Sequence, residues 1–382
     1  MAQPDDLPNQ PKDTAFRQQR LHAFQPILLT PWVIGAYLLA AIAFIPLGSW
    51  IFVQNGSLSE YKIQYGGDGA DPAASGCAMT TSNEGISCSL TFDVTEHLAA
   101  PVYVHYELTN FYQNHRRYVK SFSAAQLSGS VVGSDDLDSC SPLVSSSTQL
   151  LNPCGLIANS MFNDVITVTA APSPFTGTSS SYMLETGIAW PSDVDTRFNQ
   201  PDGFMSIECP GTSACDDSSC LGSTAQGCGI HQDEAGVRHA YWYPDDDTTQ
   251  YLYETFNQVP LGSTQPVISP LEGVESEHFI VWMRVAALPS FRKLYGKIES
   301  DIPAGSQITF QISNNFYADA FGGTKSLILS NAGAFGGSNG FLGIAFLVIG
   351  FACLMMSAGF TALAIARPRK LGDWSVLRSK QE

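Results

Sequence analysis

The chain has 382 residues, 44% of them hydrophobic and 14% charged, and its 35 acidic against 19 basic side chains leave a net charge of −16. That balance excludes a nucleic-acid binder held by phosphate contacts, and the hydrophobic and aromatic content excludes an intrinsically disordered chain. The apolar residues are also too unevenly spread for a wholly soluble protein.

Arg17 and Arg20 lead into the first long apolar run, residues 32–53, whose 22 positions hold no Asp, Glu, Lys or Arg. Roughly 20 apolar helical residues cross a bilayer core, so this run is long enough to span. It exceeds the roughly 7–15 residue apolar core of a cleaved signal peptide and reads as a retained signal anchor. A second run, residues 340–366, holds 27 positions free of the same residue types, and Arg367, Arg369 and Lys370 follow it. The bias of Lys and Arg toward the cytosolic side predicts cytosolic tails at 1–31 and 367–382. Transmembrane helices are then expected at 32–53 and 340–366, with a lumenal or extracellular domain at 54–339. That loop carries 30 acidic and 11 basic side chains.

Within the loop, Asn55-Gly56-Ser57 is a weak N-glycosylation acceptor, close against the first span. Gly85–Val94, Pro101–Leu108 and Ser306–Ser313 alternate apolar with polar residues, as half-buried strands do. Asp164–Thr169 and His278–Val285 are shorter or more buried strand candidates. Loops rich in Gly, Ser and Pro separate them, and the expectation is an all-β, antiparallel, sandwich-like ectodomain.

Eight of the nine cysteines fall in the same loop, as expected for a disulfide framework on an oxidising side of the membrane. Closeness in sequence favours Cys77–Cys88 and Cys140–Cys154. Cys209, Cys215, Cys220 and Cys228 are expected to pair among themselves. A zinc site built from those four and His231 is the alternative, but their spacing lacks the usual C-x2-4-C knuckle.

No catalytic constellation, metal site or cofactor site is evident. Gly336–Gly340 fits G-x-S-x-G only formally, because it enters an apolar helix. Gly322-Gly323-Thr324-Lys325-Ser326 lacks the spacing of a phosphate loop, and Asp245, Asp246 and Asp247 are consecutive rather than laddered for calcium. One cluster is unusual in so acidic a loop. Asn110, Phe111, Tyr112, Asn114, Arg116, Arg117 and Tyr118, with His115 and Lys120, mix amides, aromatics and cations, the composition of an interface anchor. In Phe279–Lys297 the first half reads as a core strand, whereas Arg292 and Lys293 suit a surface contact; Trp282, Arg284, Arg292, Lys293 and Tyr295 are the segment's expected partner-interface residues.

These blocks, in this order, resemble the two-span, non-catalytic beta subunits of type-IV P-type ATPases, the phospholipid flippases (the Lem/Cdc family of subunits). The matching segments are Phe16–Leu21 with Gln25-Pro26-Ile27-Leu28, Phe44-Ile45-Pro46-Leu47-Gly48, Asn110–Ser121, Pro153–Asp164 and Phe279–Ile298. The resemblance implies an accessory subunit and chaperone that assembles as a heterodimer with the catalytic ATPase alpha subunit, and works where membrane phospholipids are moved. It also implies residence in the endoplasmic reticulum, then the Golgi, endosomes or plasma membrane. Phe16, Arg17 and Arg20 would form a cytosolic clasp, and Asn110–Ser121 with Phe279–Ile298 a lumenal contact. Cys77–Cys88 and Cys140–Cys154 would be its structural disulfides. The D-K-T-G phosphorylation motif of the catalytic subunit is absent from the sequence, so no ATP cycle is expected here. The alternative plan, a two-span ligand-gated channel subunit or cell-surface receptor, would need polar pore-lining residues, and the second span offers only Ser357 and Thr361 besides glycines.

Overall fold

The computed structural model describes residues 14–21, 29–56, 58–79, 85–173, 182–209, 228–233, 235–244, 248–259, 266–331 and 340–368, divided between two units. The first holds the two chain ends, residues 1–56 and 339–382, and the second residues 57–338.

In the first unit, helices α1 (Thr30–Gly56) and α7 (Gly340–Ala366) are each 27 residues long and apolar enough to cross a membrane. They lie antiparallel, with Tyr37 stacked on Phe360 and Phe44 beside Phe346. Their buried residues are small: Gly343, Gly350 and Ser357 on α7, Ala41 and Gly48 on α1, with Ile51 the larger exception. The seven-residue spacing keeps these positions on one face, and small side chains there let the backbones approach closely. A Cβ at Gly350 would lie 2.7 Å from Ile45 Cγ1, and one at Gly48 2.9 Å from the Leu347 amide nitrogen. Ser357 donates to the Ile34 carbonyl at 3.3 Å, so this polar group is spent on helix packing rather than on a pore. Trp32, Leu39, Ile42, Phe341, Val348, Met355 and Ile365 project outward, an apolar surface suited to lipid.

The second unit is built on two antiparallel sheets. One has the order β1 (Glu60–Gly66), β13 (Lys325–Asn331), β3 (Val102–Leu108), β11 (Phe291–Ile298); the other is β2 (Ile86–Val94), β12 (Ser306–Asn314), β6 (Val165–Ala170). Both supply a single core, in which Phe92 meets Phe310 edge to face and Tyr106 stacks on Phe162 at 3.9 Å. Strands β2, β3 and β12 bury alternate residues, as their sequences predict. Strand β13 is buried on both faces, so Leu327, Ile328 and Leu329 carry no period-two signal.

Two small sheets complete the unit. One joins β4 (Ser145–Ser146), β5 (Gln149–Asn152) and β10 (Thr249–Tyr251), and β10 runs parallel to β5, a departure from the all-antiparallel expectation. The other joins β7 (Met205–Glu208), β9 (Arg238–Trp242) and β8 (Cys228–Gln232). Short helices punctuate the sheets: α2 (Arg116–Lys120), α3 (Ala124–Leu127), α4 (Pro191–Thr196), α5 (Leu252–Thr255) and α6 (Glu277–Met283).

Helix α6 corrects the strand expected at His278–Val285. Its run of apolar residues buries Phe279, Ile280 and Trp282, positions that a helix brings to one side and that show no strict alternation. Tertiary partners hold both ends. Glu277, in its first turn, accepts the amides of Gly187, Ile188 and Ala189 at 2.7–2.8 Å. Lys293 donates to the carbonyls of Val281 and Trp282 at the far end.

Disulfides Cys77–Cys88 and Cys140–Cys154 form as expected, each closing a short loop; a bridge closing about 15 residues is worth about 3 kcal/mol in the chain-entropy account. The second lies in a satellite core with Leu137 and Leu151. Cys209 is disulfide-bonded, while Cys215 and Cys220 lie outside the described residues.

Candidate interaction site

The three loop blocks singled out in the sequence meet in one place. Asn110 takes a positive φ of 58° and donates to the Phe321 carbonyl at 2.6 Å, turning the chain out of β3. Phe111 then enters an aromatic cluster with Tyr118, Trp282, Phe291 and Phe321, at centroid distances of 5.2–6.3 Å. Buried Gln113 accepts the Ala286 amide at 2.8 Å, Asn114 donates to the Ala287 carbonyl at 2.8 Å, and the Phe111 amide donates to Pro289 at 3.0 Å. The amides of the cluster therefore stitch residues 110–114 to the turn after α6.

The Pro153–Asp164 block closes the other side. Trp282 donates its indole N–H to the Ile157 carbonyl at 2.7 Å, and Tyr118 shares a hydrogen bond with Ser160 at 2.8 Å. Burial pushes the Tyr118 phenol up to about 12. Gly155 has φ +103°, and a Cβ there would come within 2.2 Å of the Ser121 carbonyl oxygen, so this crossing requires glycine. At the end of the block, Asp164 accepts the amides of Asn315 and Phe316, the Tyr65 hydroxyl and the Lys325 ammonium. Lys325, which the sequence placed in a failed phosphate-loop pattern, is thus a buried structural cation; desolvation lowers its pKa and the Asp164 charge opposes that.

Several residues expected at a partner surface are interior. Trp282 is fully buried and Tyr295 nearly so, with the Tyr295 hydroxyl accepting the Ile166 amide at 2.9 Å. Lys293 is 7% exposed; besides Val281 and Trp282 it donates to Arg284, and it sits over the Trp282 and Phe291 rings. Burial lowers its ammonium to about 7. The physical reason is strand register: Lys293 and Tyr295 point to the core side of β11, while Arg292 points out and pairs with Glu60 at 2.8 Å. Arg284 bridges to buried Asp193 at 2.6 Å and lies over the Trp190 ring, a partner that sequence spacing did not reveal.

The surface remaining is mostly one segment: Asn110, Tyr112, Asn114, Arg116, Arg117, Val119 and Lys120 are exposed, and outside it so are Arg284 and Arg292. In the first unit Phe16, Arg17 and Arg20 are also exposed, in a short turn before α1. Asn55 sits in the last turn of α1 and is half-buried. Among the described residues no group of His, Cys, Asp or Glu is arranged to hold a metal ion.

Two apolar helices long enough to cross a membrane, flanking a cystine-braced β unit, define a membrane protein with a β-rich domain between its spans. The chain belongs to the LEM3 (ligand-effect modulator 3) family / CDC50 family, whose model matches residues 51–370. It is 34% identical to ALA-interacting subunit 3 of Arabidopsis thaliana, over 96% of this chain and 90% of that protein. It is 33% identical to cell cycle control protein 50B of Homo sapiens, over 94% and 93%. It is 30% identical to the phospholipid-transporting ATPase accessory subunit CRF1 of Saccharomyces cerevisiae, over 96% and 88%.

Proposed function

We propose that this chain is the non-catalytic accessory subunit of a phospholipid-transporting ATPase, a flippase, and that it forms a heterodimer with the catalytic subunit. The observation that carries this is end-to-end similarity to a relative named as such an accessory subunit, covering 96% of this chain. The architecture supports the reading. The chain invests in membrane helices and a braced β unit, and its sequence lacks the D-K-T-G motif needed for an ATP cycle.

On this reading the subunit acts as a chaperone for export from the endoplasmic reticulum and then stays with the working pump. It changes the pump's behaviour only by binding some of its conformations more tightly than others, because equal affinity for all of them shifts none. The acidic, disulfide-bearing unit faces the lumen or exterior, both termini face the cytosol, and the complex resides in the Golgi, endosomes or plasma membrane. Exposed residues of the Asn110–Lys120 segment contact the pump on the lumenal side, and Phe16, Arg17 and Arg20 do so on the cytosolic side.

The test is purification of the full chain in mild detergent followed by mass spectrometry. A much larger phospholipid-transporting ATPase is expected at roughly equal molar amount. Recovery of a mature, lone chain from cells lacking every such ATPase would overturn the reading.

A further inference from the structure

The β unit contains a groove that none of the packing described above fills. One end, about 960 Å³, is walled by α2 with Arg116, Arg117 and Lys120, and by Asp138 and Ser139 opposite. The other end, about 630 Å³, is an apolar trough that includes Leu127, Ile157, Phe198 and Met283 in its lining. Val119, Phe122 and Ala124 line both ends, so the two are continuous.

Charge indicates what the groove holds. The unit has 30 acidic and 11 basic side chains, and six of the cations are ion-paired: Lys62 with Glu107, Arg197 and Arg284 with Asp193, Arg292 with Glu60, Lys297 with Glu299 and Lys325 with Asp164. Arg116, Arg117 and Lys120 are exposed side by side and form no ion pair among the described residues. Asp138 is the one acid among the residues lining that end, against three cations without an ion pair, so the wall favours an anionic occupant. At the other end, Asp193 lines the trough and is 2% exposed. Its Oδ2 accepts from Arg284 at 2.6 Å, but its Oδ1 accepts no hydrogen bond and has only Arg197 at ion-pair range, 3.5 Å away. That oxygen is shut off from solvent with Arg197 as its counter-charge, so Asp193 pins Arg197 and Arg284 along the wall of the trough rather than offering a free acceptor.

The geometry points to a binding groove for a partner protein's segment that carries acidic residues beside a bulky apolar anchor. The acids sit against Arg116, Arg117 and Lys120. The anchor fills the trough. A phospholipid's phosphate would also suit the cations, and labelling of lipid in the experiment below rejects the protein segment. This deepens the accessory-subunit reading, which supplies only the identity of the protein carrying the segment.

The test places the photo-crosslinker p-benzoylphenylalanine at Val119 of the full chain in cells, with and without the triple change Arg116→Glu, Arg117→Glu, Lys120→Glu. The expected product joins Val119 to a peptide containing at least two acidic residues next to a large apolar one, and the triple change lowers its yield at least tenfold. Retention of the Cys140–Cys154 bridge in the triple variant separates lost binding from lost folding, and a neutral triple Gln variant, expected to lose yield in part, is a second control. Adducts to lipid, adducts to this chain itself, no adduct in a purified complex, or a yield indifferent to the charge changes would each overturn the groove assignment. If the ATPase co-purifies while the probe labels lipid, the groove fails and the function stands. If no ATPase co-purifies but an acidic segment of another protein is captured, the groove stands and the function fails.

Discussion

Asp164 and Lys325 are separated by 161 residues in sequence and by 2.6 Å in space, inside a shell that excludes water from both side chains. The carboxylate also accepts two backbone amides and a phenol, so the anion is fully hydrogen-bonded where it is buried. The pair locks the end of the Pro153–Asp164 block to β13, the second strand of the four-stranded sheet.

Removing one partner leaves an uncompensated buried charge, which costs more than the pair itself contributes. Lys325→Met is expected to destabilise the β unit by about 3–5 kcal/mol, and the double change Asp164→Leu with Lys325→Met is expected to recover part of that. Denaturant midpoints of the purified protein measure both; a Lys325→Met midpoint equal to wild type would contradict the assignment.

His105 gives the fold a pH dependence. Burial, aided by the Arg292 charge, holds its imidazole at about 4 instead of 6.5. Between those values the unfolded chain binds a proton that the folded chain refuses, so stability rises with pH across the window and is lost on acidification. The loss on going from neutral pH to about 4 is on the order of 3 kcal/mol from this residue. His105→Gln is expected to flatten that slope in urea titrations run at several pH values; parallel slopes for both proteins would rule the mechanism out.

Arg292 and Lys293 are adjacent cations with opposite consequences. Lys293→Met leaves the carbonyls at the end of α6 without their donor, an expected cost of about 2–3 kcal/mol. Arg292→Ala breaks a partly exposed pair with Glu60, and its expected cost is under about 1 kcal/mol. Thermal melting of the two variants side by side decides the matter, since equal losses would show that Lys293 is not the cap described.

The helix pair makes a simpler prediction. Gly350→Leu places a branched side chain where even a Cβ is 2.7 Å from Ile45, whereas Gly35 has nothing within 4 Å of the same position. Gly350→Leu is expected to lower the melting temperature in detergent and Gly35→Leu to leave it unchanged. A fall of equal size in both would mean that bulk alone, and not this contact, is responsible.

The parts legible in the sequence were those whose signal is local. The uncharged run at 340–366 coincides with α7, and α1 extends the run at 32–53 by a few positions, because hydropathy is additive along a helix. Strands β2, β3 and β12 were legible because each has one face toward the core and one away from it. Strand β13 has no such contrast, and β11 loses it at a register shift between Leu294 and Gly296. Helix α6 is held by Glu277 reaching the amides of Gly187–Ala189 and by Lys293, from β11, reaching its last carbonyls, partners that no window around His278–Val285 contains. The site divides in the same way. Composition flagged the cationic run at Arg116–Lys120, but which of Trp282, Arg292, Lys293 and Tyr295 face solvent depended on strand register, and the role of Asp193 depended on an arginine 91 residues away.

The stripe formed by Gly343, Gly350 and Ser357 is already occupied by α1. A third helix cannot use that stripe, but Gly35 on α1 and Gly359 on α7 are exposed with nothing within 4 Å of where a Cβ would sit, and small residues of this kind let another backbone come close. The two helices thus present themselves to a neighbour as one preassembled pair, whose own seam is closed and whose remaining places for close approach are the open glycines outside it.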